Sequence, residues 1–177
     1  EKVREADAVC YGTLGQRGQK PRAGIRKAME VAKEEGVLRV HDVNLRPPFF
    51  DDELIRDSLA MASVYKLSDD ELDRVCQACG IPLSADPLDS LRFILKKYSL
   101  EVLVMTKGAE GAVLLTADSA FEQPGMKTEI VDTVGAGDSF TAALTLGLLR
   151  KDSFPEILRD ACEVAAKVCS HAGAVPA

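Results

Sequence analysis

Short apolar runs alternate with helix-period runs along the whole chain, and this alternation decides most of what the chain can fold into. Ala8-Val9-Cys10-Tyr11 reads as a strand ending at Gly12. Ile25, Ala28, Met29 and Ala32 follow at helical spacing, closed by Gly36 as a glycine just past the helix end. Residues 37–43 read as a second strand, and residues 51–62 as a helix with Leu54, Ile55 and Leu59 on one face. Residues 64–67 form a short strand that runs into Ser68-Asp69-Asp70-Glu71, a capping box with a hydroxyl at the cap and Glu three residues on. Its helix carries Leu72, Val75, Cys76 and Cys79 at i, i+3, i+4, i+7. Leu91, Ile94, Leu95 and Tyr98 mark another helix, and residues 102–106 a buried strand. Gly108 and Gly111 punctuate a turn before residues 112–115, residues 128–131 read as one more strand, and helices over 137–149 and 155–170 finish the chain. Strand–helix alternation predicts an α/β fold, a mainly parallel sheet covered by helices, here as a single domain over residues 1–177. Right-handed crossovers then put the strand C-termini, and any active site, on one edge.

Composition removes several function classes. Acidic side chains number 28 against 22 basic, a net charge of −6, which argues against nucleic acid as a partner. Apolar runs are far shorter than a membrane span, and five cysteines is an odd count for a disulfide scaffold. The reading is a reduced, cytoplasmic protein with no membrane or nucleic-acid partner. The sequence opens at Glu1 in a charged, helix-like stretch and stops at Ala174-Val175-Pro176-Ala177, so both ends read as cut; a trimmed complete domain is the alternative.

The strongest chemical signal is Val131-Asp132-Thr133-Val134-Gly135-Ala136-Gly137-Asp138-Ser139-Phe140. A strand ends at Asp132, glycines make a tight turn, and an apolar helix begins at once. Backbone N–H groups of such a turn converge, and the helix N-terminus adds positive charge, so Gly135, Ala136 and Gly137 form a candidate anion hole. Asp138 would repel a bound phosphate there unless it acts as a general base beside a transferring phosphoryl group. The bland alternative makes Asp138 a plain helix cap. Gly137 is the position where a positive φ or a close approach is expected.

The stretch from Asp132 to Phe140, followed by Ala142 and Ala143, resembles the second signature of the ribokinase-like (phosphofructokinase-B) sugar kinases. Three further stretches match in order: Asp42-Val43-Asn44-Leu45-Arg46 resembles D-x-N-x-R, Lys66-Leu67-Ser68-Asp69-Asp70-Glu71 resembles K-x-N-x-x-E with Ser68 in place of Asn, and Thr106-Lys107-Gly108-Ala109-Glu110-Gly111 resembles the T-x-G-x-x-G nucleotide loop. The resemblance implies a three-layer α/β/α ribokinase-like fold, present as its C-terminal, nucleotide-binding portion, with the N-terminal sugar-binding and lid part absent. It implies ATP-dependent phosphorylation of a sugar hydroxyl, closest in type to the fructokinase branch, with no activity for this piece alone. Asp138 would be the base, and Gly135, Ala136 and Gly137 the anion hole. Thr106, Lys107, Gly108 and Gly111 would line the nucleotide phosphates together with Lys66 and Ser68. Asn44 and Arg46 would face phosphate and acceptor. Glu71 would hold Mg²⁺ through water, and Asp132 with the Val134 carbonyl would match a monovalent-cation site, K⁺ being the candidate, completed from residues 169–174. The adenine wall would come from residues 162–166. A homodimer of the full-length protein is compatible with the resemblance. Ser68 puts the role of the usual Asn in doubt. A nucleoside or vitamin kinase of the same superfamily, or a non-catalytic nucleotide-binding module, are the rival readings.

The remaining motifs read as structure. Cys76-Gln77-Ala78-Cys79 sits near a helix C-terminus, where the dipole disfavours a thiolate, and reads as a buried face. Cys162 and Cys169 share a helix face, His41 and His171 stand alone, Arg39 reads as a solvated rim, and Met29, Met61 and Met105 read as core.

Overall fold

Parallel pairing organises the first part of the chain. β1 (Ala8–Gly12), β2 (Leu38–Asp42), β3 (Val64–Ser68) and β4 (Val102–Thr106) are neighbours in that order, with β1/β2 and β2/β3 parallel and Gly12 opposite Asp42, Asp42 opposite Lys66. A parallel neighbour demands a crossover, and the crossovers here are helical: α1 (Gln19–Glu34), α2 (Asp52–Met61), then α3 (Asp69–Cys79) and α4 (Pro87–Tyr98). The computed structural model describes residues 1–175; Pro176 and Ala177, the end of the expected domain, lie outside the described residues. Residues 1–105 with 115–119 form one compact unit, and residues 106–114 with 120–177 a second.

In the first unit β3 and β4 are near-continuous apolar runs because both faces are covered, and Val64, Tyr65, Leu67, Leu103 and Val104 are sealed from solvent. Met29, Ile55, Leu59, Leu91 and Ile94 supply the helical side of this core, each worth about 1.5–3 kcal/mol of burial. Helix ends follow the sequence signals. Asp51 Oδ1 accepts from Leu54 N at 2.7 Å, Asp86 Oδ1 accepts from Leu88 N at 2.9 Å, and Gly36 and Gly80 close α1 and α3 at φ 71° and 61°. Cys76 and Cys79 are buried in α3, and burial pushes both thiols above their ordinary range. Met29 and Met105 are core, while Met61 is half-buried. Arg39 is not a solvated rim. Its guanidinium donates to Met61 O at 2.9 Å and Val37 O at 3.0 Å and so stitches backbone. His41 is buried with its ring 4.6 Å from Tyr11 and 5.3 Å from Tyr65, and burial lowers it to about 4.

The second unit holds neighbouring strands β5 (Gly111–Leu115) and β6 (Ala120–Pro124) and the helices α5 (Ala136–Arg150) and α6 (Phe154–Cys169). α5 and α6 pack closely because Gly147 has no side chain; a Cβ there would lie 2.8 Å from Ile157 Cγ1. α6 opens on a second capping box, Ser153 with Glu156. The strand expected over residues 128–131 does not form. Val131 N and Asp132 N donate to Cys169 O at 2.9 and 3.2 Å, so these donors serve the end of α6 instead of a sheet, and Ile130 and Val131 stay 59% exposed.

Candidate active site

The turn into α5 is fixed by backbone and one carboxylate. Gly135 takes the cap position at φ 83°, a left-handed conformation that glycine adopts without cost. A Cβ on it would sit 2.7 Å from Ala174 Cβ. Asp132 accepts from Val134 N through Oδ1 and from Gly173 N through Oδ2, both at 3.0 Å, and these N–H groups hold its carboxyl below the ordinary range. Asp132 thus ties the turn to the segment after α6, the two stretches expected to make a cation loop. The positive φ expected at Gly137 is found at Gly135 instead; Gly137 lies inside the first turn of α5.

Asp138 is the third residue of that helix, so the plain-cap alternative does not hold. Its carboxylate is exposed and accepts no hydrogen bond among the described residues. Helix position leaves the N–H groups of Gly137 and Asp138 without an i−4 carbonyl, and the helix dipole adds positive charge where they point. Unpaired backbone N–H groups and an exposed carboxylate therefore share one turn.

A cavity of about 510 Å³ adjoins this turn, lined by Thr106, Gly108 and Gly111, by Ala136 and Gly137, and by Cys162, Ala165 and Ala166. These are residues expected around a nucleotide. Asp138, Gly135, Lys107, Asp132 and Val134 do not line it. Lys107 acts through its backbone, its N–H donating to Gly111 O at 2.8 Å to close the loop. Gly111, at φ 101°, has its side-chain space filled by protein: a Cβ would lie 2.0 Å from Gln123 O. Gly125 is its counterpart, with a Cβ 1.7 Å from Ala109 O, whereas Gly108 faces open space. Sequence reasoning missed Met126, Thr128, Ile130 and Phe140 as lining residues. The signal was the apolar stretch 128–131, read there as a strand.

The candidates in the first unit engage one another. Lys66, 6% exposed, donates to both Asp42 oxygens at 3.0 and 2.9 Å. Glu71 accepts from Leu45 N through Oε1 at 2.7 Å and from Ser68 N through Oε2 at 2.8 Å, the second being the expected capping box. Asn44 holds φ 41°, rare for a residue with a side chain though asparagine tolerates it best. Arg46 is exposed and makes no ion pair among the described residues. Each Glu71 oxygen accepts one N–H, which leaves lone pairs for the expected contact with a metal-bound water, and no group of three His, Cys, Asp or Glu that could hold an ion by itself is found among the described residues. Each Asp132 oxygen likewise accepts one N–H.

Comparison with known proteins follows this geometry. The sequence matches the pfkB family carbohydrate kinase profile over residues 1–177. It is 32% identical over 187 residues to Fructokinase-2 of Solanum lycopersicum, covering 99% of this chain and 55% of that protein. Aminoimidazole riboside kinase from Salmonella enterica, solved with aminoimidazole riboside and an ATP analog, matches with a TM-score of 0.78 and 28% identity over 93% of this chain and 57% of that one. A fructokinase from Xylella fastidiosa solved with bound ATP gives a TM-score of 0.85 at 20% identity, over 98% of this chain and 58% of that one. The α/β fold anticipated from the alternation is the one shared with these structures. The chain spans about half the length of the curated relatives it matches. No helix among the described residues is long and apolar enough to cross a membrane.

Proposed function

Since the chain belongs to the pfkB family of carbohydrate kinases, we propose that it carries the nucleotide-binding and base-bearing portion of an ATP-dependent kinase that phosphorylates a sugar hydroxyl. The observation that carries this reading is Asp138, an exposed carboxylate with no hydrogen-bond partner among the described residues, in the first turn of a helix whose glycine turn offers N–H groups to an anion. Asp138 takes the proton from the acceptor hydroxyl as the oxygen attacks the γ-phosphorus. The anion hole expected from Gly135, Ala136 and Gly137 narrows, because Ala136 N already donates to Thr133 O at 3.2 Å; the N–H groups of Gly137 and Asp138, in the turn that Gly135 shapes, receive the charge on the transferring group, which needs positioning and neutralisation more than covalent help.

ATP supplies the phosphoryl group, and the cavity beside the turn takes its nucleoside end. Its volume of about 510 Å³ suits a small molecule, and small residues at Ala165 and Ala166 leave room for a flat ring. Gly108 faces open space, so its backbone can approach phosphate. Arg46 brings an exposed cation, whereas the Lys66 charge is already balanced by Asp42. Mg²⁺ finds in Glu71 at most an acceptor for one of its waters, and K⁺ finds Asp132 already bonded, so no step is assigned to either. The five cysteines form no disulfide among the described residues, and we place the protein in the cytoplasm.

A riboside is the second acceptor class, favoured by the 28% identity to a structure of aminoimidazole riboside kinase. ADP release measured with ATP against fructose, other hexoses, pentoses and ribosides separates the two and tests the reading. Acceptor-dependent ADP release by the full-length kinase supports it. ADP release that no hydroxyl acceptor stimulates, or nucleotide binding without turnover, overturns it in favour of a binding module. The 177 residues alone are expected to bind nucleotide weakly and turn over no sugar, because an acceptor not held in line forfeits the orientation term, worth roughly 7–11 kcal/mol in favourable cases.

A further inference from the structure

We propose that Glu71 is a positioning residue, a strap that holds the loop after β2 in the left-handed conformation found at Asn44. The resemblance to the pfkB kinases implies that Asn44 faces phosphate and acceptor, so the strap would set where that side chain stands; only the activity arm of the test depends on the proposed kinase function.

The geometry points to this from three sides. Asn44 has φ 41°, and the residues on both sides of it are pinned. Before it, Val43 N donates to Lys66 O at 3.0 Å; after it, Leu45 N donates to Glu71 Oε1 at 2.7 Å. The other oxygen of Glu71 accepts from Ser68 N at 2.8 Å, so one carboxylate bridges the loop after β2 and the cap of α3. Both are charge-assisted bonds to backbone, the stronger class of hydrogen bond. An ordinary capping box needs only the bond to Ser68. The bond to Leu45, 26 residues away, is an addition that local helix chemistry does not call for. Glu is also the side chain this bridge needs: Asp is one methylene shorter, and Gln offers one acceptor where two N–H groups point.

Amide hydrogen exchange on the full chain tests the strap without reference to catalysis, with Leu103 and Val104 of β4 as the measure of intact folding. In Glu71→Ala, exchange at Leu45 and Ser68 should quicken about 10–100-fold while β4 stays protected. Parent-like protection of Leu45 in that variant overturns the proposal. If Glu71→Ala loses β4 protection, Glu71→Gln decides. Faster exchange at one of the two amides supports the strap, and full protection at both overturns it. In the activity arm, Glu71→Gln should lower turnover and leave the Mg²⁺ concentration for half-maximal rate unchanged. A rise in that concentration, with turnover restored by excess Mg²⁺, overturns it. A parent enzyme without kinase activity would sink the kinase reading and leave the exchange arm to decide the strap alone.

Discussion

The β3 side of the first unit and the α5 turn of the second treat their polar candidates differently, Arg46 and Asp132 being the exceptions on each side. In the first, Asp42 answers Lys66, and Glu71 answers two backbone N–H groups. In the second, Asp138 is exposed without a hydrogen-bond partner among the described residues, Gly108 opens on empty space, and a cavity lies beside the turn. A side chain whose bonding capacity is used up fixes geometry; one whose capacity is unspent can act on something that arrives.

The largest effect that would break this contrast is at Asp138. Asp138→Asn in the full-length enzyme should lower turnover by about 10²–10⁴-fold and spare ATP affinity, read by steady-state kinetics beside nucleotide titration. A variant retaining most of its turnover would make Asp138 one more exposed helix residue. Lys66→Met belongs to the other side of the contrast. It removes the ammonium that donates to both Asp42 oxygens and should cost about 1.5–3 kcal/mol in denaturant unfolding, the worth of hydrogen bonds to a charged group. Loss of nucleotide affinity with unchanged stability would instead place Lys66 among the reactive groups.

Acid should discriminate next. His41 has its folded value lowered from 6.5 to about 4 by burial, so between those values the unfolded chain binds the proton that the folded one refuses. Stability from this group is complete above about pH 6.5 and drains away as pH falls through 4, a span of roughly 3 kcal/mol. Unfolding free energy measured from pH 7 to pH 4 should show that slope, and His41→Phe should flatten it. The smallest effect sharpens the turn. Gly135→Ala forces a Cβ against Ala174 at a positive φ and should cost about 1–3 kcal/mol, read as a fall in Tm. An unchanged Tm would show that the turn is looser than its contacts.

What the sequence made legible is what chain neighbours decide. The capping box at Ser68, the glycines ending α1 and α3, and the buried face of Cys76 and Cys79 depend on residues within one or two turns. Of the candidate site, the glycines, Asp138 and the small residues of α6 were marked in advance by motif and spacing, and several of them line the cavity. The misses share the opposite cause. Residues 128–131 read locally as a strand, but the carbonyl of Cys169 takes the N–H groups of Val131 and Asp132, residues far away along the chain. β6 runs Ala-Phe-Glu-Gln-Pro with three of five positions exposed, too polar to announce a strand. The second bond of Glu71, the left-handed Asn44 and the shift of positive φ from Gly137 to Gly135 all hang on partners that spacing cannot supply.

Gly111 and Gly125 set a limit on how this protein can diverge. Each occupies the space the other's neighbours would need: a side chain at 111 collides with the 123–125 backbone, and one at 125 collides with the carbonyl of Ala109. Because both collisions are with main chain, no compensating substitution elsewhere relieves either of them. The two positions are frozen as a pair, and an evolving lineage could not retune the cavity through them. A change in what the cavity accepts would have to enter at the walls, at Met126, Cys162, Ala165 or Ala166, where a larger or more polar side chain changes the cavity and leaves the loop's backbone path alone.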